Sequence, residues 1–395
     1  MRRGDLFIMR KNKLFIISLL ALTLCSCNST GESNSISTSN NNSIEITDLI
    51  GRKNTINPGS FKHVVCIGAG ALRLYSYVGD VSLLSGVEDI DNTSLTNRPK
   101  MFDGVARPYV IAYGDTFSKL PSCGVGGPMA QLAEAEKILI CNPDIVISEY
   151  EDVNKANALQ EQLGVPVITL RYGAKGVFDD NIKNSIDLLG KVFNRNEKAT
   201  VLNNYIEAQK EEIFNKTKDI KEEDKKYVYI GGLGNWGTTN QYMTAQNYEP
   251  FNVAHIKNVV NDLSKDGIQE IEKEKFVDLG KDMDIMILDA AAIKNIKPLY
   301  KEDPTIFDEC KAWQNGEVYL QMAYNAYYTN VELALANTWY NAKIVYPEVF
   351  EYVNIETKVN EICTQFLGQN LYNNIVSYPN SFGGYQKINT KTFFA

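Results

Sequence analysis

The polar chemistry of this chain is concentrated in tyrosine and arginine. It has 22 Tyr and only two His in 395 residues. Three of the tyrosines, Tyr324, Tyr327 and Tyr328, stand in one short segment between the strand-like run Val318–Met322 and a helical run from Val331. Core aromatics recur at regular spacing inside elements, so three in a connection suit the wall of a binding site. Each offers a flat apolar face and one hydroxyl, a combination that fits a bulky, partly polar ligand. Arg98, Arg107 and Arg171 are the candidate cations. Arg171 directly follows the β-branched run Val167–Leu170, which places it at the carboxyl end of a strand, where open α/β sheets hold ligands. A guanidinium fork there suits carboxylate or hydroxamate-like oxygens.

Other chemistries are excluded or weakened by the same residues. Gly232-Leu233-Gly234-Asn235-Trp236-Gly237 is formally a G-x-G-x-x-G motif after a strand. A dinucleotide site needs a helix to begin inside that motif, and Thr238–Tyr242 has no helical periodicity. The glycines instead suit a tight loop that exposes Trp236. There is no G-x-S-x-G, no H-E-x-x-H and no Ser/His/Asp grouping, so no enzyme is expected. His63 and His255 are too few for a bare transition metal, and no metal site or cofactor is expected. Of seven Cys, the five beyond the N-terminal segment (Cys66, Cys123, Cys141, Cys310, Cys363) form no C-x-x-C pair. They read as small core residues, with Cys123 set apart by its glycine-rich surroundings.

The elements that must position these residues repeat. In the first half His63–Ile67 ends in Gly68-Ala69-Gly70, then Glu136–Leu139 leads to Asp144–Ile147, then Val165–Leu170 follows. In the second half Tyr227–Ile230 ends in Gly231-Gly232, Glu274–Val277 leads to Asp284–Leu288, and Glu317–Met322 follows. Strands alternating with helices predict parallel sheets covered by helices. Helices are predicted over Ala71–Val78, Phe178–Phe193 (Ile182, Ile186 and Leu189 on one stripe), Ala199–Ile213, Val331–Ala342 and 356–367. Residues 44–57 read as a hairpin, and Asp89–Pro121 as a long polar loop. The expected division is 44–173 for the first α/β lobe, 174–226 for a bridging helix and the helix after it, and 227–395 for the second lobe.

Before these lies a processing segment. Arg2, Arg3, Arg10, Lys11 and Lys13 precede the apolar stretch Leu14–Leu24, which is short for a membrane span. Leu24-Cys25-Ser26-Cys27 resembles the lipobox of bacterial lipoproteins, which implies a signal peptide over 1–26 and lipidation of Cys27. Residues 27–43, mostly Asn, Ser and Thr, read as a flexible tether. Removing residues 1–26 takes the formal charge from −8 to about −12, which argues against a nucleic-acid partner.

In sequence order, Asp48-Leu49-Ile50-Gly51-Arg52, Glu136–Asp144, Val228–Gly237, Thr244–Phe251, Asn258-Val259-Val260, Asn315–Tyr319 and Tyr346-Pro347-Glu348 resemble the substrate-binding lipoproteins of ABC importers. The group is the one that handles iron–siderophore complexes and cobalamin. The resemblance implies two Rossmann-like lobes bridged by one long helix, here Val177–Phe193, with the ligand in the cleft between them. It implies a monomer, lipid-anchored on the extracytoplasmic face, that passes a metal chelate to an ABC permease. A ferric siderophore is the first expectation, a corrinoid or haem the alternative; a cell-envelope enzyme and an adhesin are the rivals from other classes. Ligand contacts are expected from Arg107, Tyr109, Tyr113, Glu149, Tyr150, Arg171, Tyr172, Trp236, Tyr324, Tyr327 and Tyr328. Permease-docking acids map onto Glu136 and Glu274.

Overall fold

The computed structural model describes residues 42–127, 133–173, 178–234 and 239–394. The signal segment, Cys27, most of the tether and Trp236 lie outside the described residues. An antiparallel hairpin opens the body, β1 (Ile44–Thr47) against β2 (Lys53–Ile56). Its turn holds a buried ion pair, Asp48 with Arg52 at 2.9 Å. Leu49 N–H donates to Thr169 O (3.0 Å), and the Arg52 guanidinium reaches Val167 O. The hairpin thereby covers an edge strand that would otherwise present unpaired backbone.

That edge is β7 (Val167–Thr169) of the first sheet, with β3 (Val64–Ile67), β4 (Leu84–Glu88), β5 (Ser122–Gly124) and β6 (Ile145–Ser148). The order is β5-β4-β3-β6-β7, all parallel. Its helices are α1 (Ala71–Val78), α2 (Pro108–Phe117), α3 (Ala135–Ile140) and α4 (Val153–Leu163). α2 is a correction to the long loop expected over Asp89–Pro121. Pro108 sits at its first turn, where a missing N–H costs nothing. Tyr109, Val110 and Phe117 are buried along it, which is the packing that offsets weak helix propensity.

The connector is two helices. α5 (Asp180–Val192), capped by Asp179 on Asn181 N–H, packs on α1. The chain reverses at Asn194 (φ +53°), and α6 (Asn196–Thr217) returns along α5. At 22 residues, α6 spans about 33 Å. Its second half reaches the other lobe, where Thr217 Oγ1 lies 3.0 Å from His255 Nδ1 and Glu212 accepts from Tyr352. The segment expected to bridge touches both lobes, Phe178 N–H donating to Glu249 of the second (2.9 Å) and Val192 O accepting from Gly59 N–H of the first (3.0 Å), and α6 crosses again beside it.

The second sheet has the order β10-β8-β12-β13-β14. Its strands are β8 (Tyr227–Gly231), β10 (Lys257–Asn258), β12 (Ile285–Asp289), β13 (Val318–Gln321) and the antiparallel β14 (Gln386–Lys387). A small ribbon, β9 (Met243–Thr244) with β11 (Gln269–Glu270), lies beside it. Helices α7 (Glu249–Val253), α8 (Lys273–Gly280), α9 (Ala290–Glu302) and α10 (Lys311–Gln314) punctuate the strands. α11 (Val331–Val345) is buried nearly all round, and α12 (Ile355–Leu367) recrosses to pack on α1 and α2, Phe366 against Tyr77. The boundary at residue 226 therefore separates the sheets, but not every helix. One apolar core runs through both lobes under α1, α5, α6, α11 and α12.

The two sheets repeat one device. Asp144 takes His63 N–H on its carboxylate (3.0 Å) and donates its own N–H to His63 O (2.9 Å). Asp284 does the same with Tyr227, at 2.8 and 2.9 Å. Each Asp fixes the register of a central strand pair at its amino end, so the carboxyl ends of both sheets are presented alike.

Candidate functional site

Besides the buried Asp89, three acids emerge in series at the carboxyl end of the first sheet. Glu88 ends β4, Asp91 follows it, and Glu149 follows β6. All three are buried. Asp91 is neutralised within the lobe: Arg107 pairs with it, and Tyr109 Oη donates to it at 2.6 Å. Arg107 also donates to Ile90 O (2.9 Å). Glu88 accepts Gly68 N–H on Oε1 (3.0 Å). Burial pushes its carboxyl up to about 7. Among the described residues neither carboxylate oxygen of Glu149 has a hydrogen-bond partner, and burial holds its carboxyl well above the usual range.

From the second sheet, the connection after β13 sends a tight tip into this cluster. Asn325 and Thr329 bridge at its base, and Asn330 N–H donates to Tyr324 O (2.8 Å). Tyr327 and Tyr328 both take left-handed backbone, φ +54° and +71°, which non-glycine residues rarely adopt. What holds them there is contact with the other lobe. Tyr327 Oη donates to Glu88 Oε2 (2.7 Å) and accepts from Gly127 N–H (2.9 Å). Tyr328 stacks on Tyr172 at 4.5 Å.

Arg73, on α1, ties the tip down. Its guanidinium is fully buried and donates to Ala326 O (2.6 Å), Tyr327 O (2.9 Å), Asn330 Oδ1 (3.0 Å) and Tyr172 Oη (3.2 Å). It also lies 4.8 Å over the Tyr109 ring. Gly70 makes this possible: at φ +85° its α-carbon abuts the Tyr172 ring, and a Cβ there would sit 2.5 Å from it. On the second lobe the counterpart of Glu149 is Asp289, which accepts from Ala291 N–H (3.0 Å) and Gln321 Nε2 (2.8 Å). Burial pushes that carboxyl up to about 7.

Of the residues expected from sequence, the structure brings together Arg107, Tyr109, Glu149, Tyr172, Tyr327 and Tyr328. Tyr150 is half-buried beside them, and Tyr324 is buried at the base of the tip near Tyr248. Arg171 pairs with Glu151 at 2.7 Å and stays partly exposed. Tyr113 is not part of the group, because its hydroxyl is spent on Leu367 O of α12. Arg98, a further candidate cation, pairs with Asp103 at 2.6 Å. The expectations missed Arg73, Glu88, Asp91 and Asp289. For Glu88 and Asp289 a signal existed: an acid closing an apolar strand is unusual unless it is placed for use. Glu136 and Glu274 are exposed, each in the first turn of the helix before a central strand.

Two sheets, parallel but for β14, facing carboxyl end to carboxyl end across a helical connector define the fold of a solute-binding protein. The periplasmic binding protein family model matches residues 112–324, and the chain belongs to that family. A periplasmic solute-binding protein from Veillonella parvula superposes with a TM-score of 0.66 at 18% identity, over 90% of this chain and 100% of that one. The molybdate-bound periplasmic binding protein MolA from Haemophilus influenzae gives 0.62 at 16%, over 83% and 98%. The TroA-like periplasmic binding protein FepB from Veillonella parvula gives 0.59 at 21%, over 83% and 97%. No curated protein sequence matches the chain. The chain is thus an extracytoplasmic substrate-binding protein of an ABC transporter, which binds a small molecule and hands it to a permease without chemical change.

Proposed function

We propose that the solute is a metal chelate, a ferric siderophore in the first instance, held between the carboxyl ends of the two sheets. The observation that supports this most is the make-up of that region. A buried Arg, four tyrosines (Tyr109, Tyr172, Tyr327, Tyr328) and carboxyls held near neutrality meet there with no histidine. Aromatic faces suit a broad ligand, and guanidinium donors suit anionic oxygens that already wrap a metal. Contacts then come from Arg107, Tyr109, Glu149, Tyr150, Arg171, Tyr172, Trp236, Tyr324 and Tyr328, while the Tyr327 hydroxyl is taken by Glu88 and Gly127 of the first lobe. On this reading the chain is lipidated at Cys27 and docks its permease through Glu136 and Glu274.

A corrinoid or haem is the second reading, since tyrosine is an established haem ligand. Thermal shifts of the purified protein with a ferric trihydroxamate, a ferric triscatecholate, haem and cobalamin separate the two. Tight binding raises the apparent midpoint by mass action. A shift with the ferric chelates alone supports the first reading. A shift with haem or cobalamin alone replaces it with the second, and no shift with any of them removes both.

A further inference from the structure

Arg73 is placed unusually for a buried cation. Among the described residues no carboxylate pairs with it directly, and its bonds run to two backbone carbonyls, an amide oxygen and a phenol. Two of its partners, Ala326 O and Tyr327 O, belong to the tip of the opposite lobe. Beside it, Glu149 is also buried and, among the described residues, its carboxylate has no hydrogen-bond partner. Charges are rarely buried without pairing, since each loses its hydration. Here a cation is served by neutral oxygens and, among the described residues, an acid by no hydrogen bond, between the carboxyl ends of the two sheets.

The tip itself is held by contacts rather than by its own preference. Two consecutive tyrosines in left-handed backbone are stable only where their surroundings dictate it. Those surroundings are Glu88, Gly127 N–H, Arg73 and Tyr172, all from the first lobe.

We propose that Arg73 is the anion-anchoring residue of the first lobe, and that Ala326 O and Tyr327 O stand in the ligand-free protein where anionic oxygens of the solute bind. Loading withdraws the tip, and the guanidinium exchanges two carbonyls for charged oxygens, a stronger class of bond. Withdrawal also frees Glu149 to accept an N–H of the ligand. This rests on the metal-chelate reading, and it adds to that reading a resident plug and one named anchor.

The proposal is tested on the full mature chain with Arg73→Gln and Tyr327→Phe, using hydrogen exchange without ligand and binding kinetics with a ferric trihydroxamate and a ferric triscatecholate. Tyr327→Phe removes only the tip's bonds to Glu88 and Gly127. It is expected to speed exchange at the Gly127 and Asn330 amides, to raise chelate association several-fold and to leave dissociation unchanged. Arg73→Gln is expected to speed the same amides yet weaken chelate binding at least tenfold through faster dissociation. Opposite signs for the two variants are the signature. Unchanged amide exchange in both overturns the plug. Weaker binding in Tyr327→Phe through faster dissociation also overturns it, by making Tyr327 a ligand contact. Should neither chelate bind any variant, the chelate reading falls and the anchor with it, while the amides still decide whether the tip is held in place.

Discussion

Glu149 and Asp289 occupy the same position in the two lobes, and among the described residues only the carboxylate of Asp289 is hydrogen-bonded. Each closes the central strand that runs beside β3 or β8, and each backs onto the glycine ending that neighbour, Gly68 or Gly232. Asp289 caps α9 and accepts from Gln321, whereas among the described residues both carboxylate oxygens of Glu149 lack hydrogen-bond partners. Asp289→Ala should therefore lower stability by roughly 2–3 kcal/mol, since it removes a helix cap and strands a buried amide. Glu149→Gln should change ligand-free stability by less than about 1 kcal/mol, because it deletes no bond. Urea unfolding of the two variants checks the asymmetry, and equal losses would refute it.

Gly68 and Gly232 carry matching conformations, φ +86° and +80°, for one reason. Each lets its strand end close against the acid beside it. A Cβ at 68 would come within 3.1 Å of Glu149 Cβ, and one at 232 within 2.6 Å of Ala292 Cβ. Left-handed backbone alone costs an alanine about 1 kcal/mol, so Gly68→Ala should cost roughly 1–2 kcal/mol. Gly232→Ala should cost more, because α9 would have to shift as well. Thermal unfolding should rank them in that order.

The repeat behind these pairs was legible in the sequence because strand and helix periodicities are local. α1 begins and ends at Ala71 and Val78, where the pattern places it, and the hairpin over residues 44–57 forms. Arg73 was not legible. It stands in Ala71-Leu72-Arg73-Leu74, where an arginine reads as the solvated face of a helix. It is buried only because a tip some 250 residues later in the chain arrives over it. Nor could the tyrosines be sorted by type. Tyr113 and Tyr109 lie one helical turn apart on α2, yet one faces α12 and the other Asp91. α2 itself was hidden because its apolar residues follow no stripe, and the sign that remained was Pro108.

Acid pH should stabilise the ligand-free protein between about 7 and 4.5. Burial raises Glu88 from 4.5 to about 7, so the folded chain holds a proton there that the unfolded chain releases. A raised carboxyl contributes stability that is fully present below the unfolded value and is lost as pH climbs to the folded one. For Glu88 alone the change is on the order of 3 kcal/mol. Asp289, raised from 3.8 to about 7, acts in the same direction. Glu88→Gln keeps an acceptor for Tyr327 and removes the titration. Its melting temperature should vary less between pH 5 and pH 7.5 than that of the parent, and an identical slope would exclude Glu88 as the source.

Glu136 and Glu274 should matter for delivery and not for capture. Each lies exposed in the first turn of a short helix, α3 or α8, that feeds a central strand, so the repeat sets one carboxylate on each lobe. Among the described residues neither enters an ion pair that a substitution would break, and reversal to Arg should shift stability by no more than about 0.5 kcal/mol. Fixed charges on a docking face govern encounter and register with a partner of opposite sign. Glu136→Arg with Glu274→Arg should therefore leave chelate affinity unchanged and reduce uptake by more than about tenfold, with each single change giving part of the loss. Affinity and uptake need to be read on the same preparations. If uptake persists at the parental rate, the permease meets some other face; if affinity falls with it, the two acids belong to the ligand site after all.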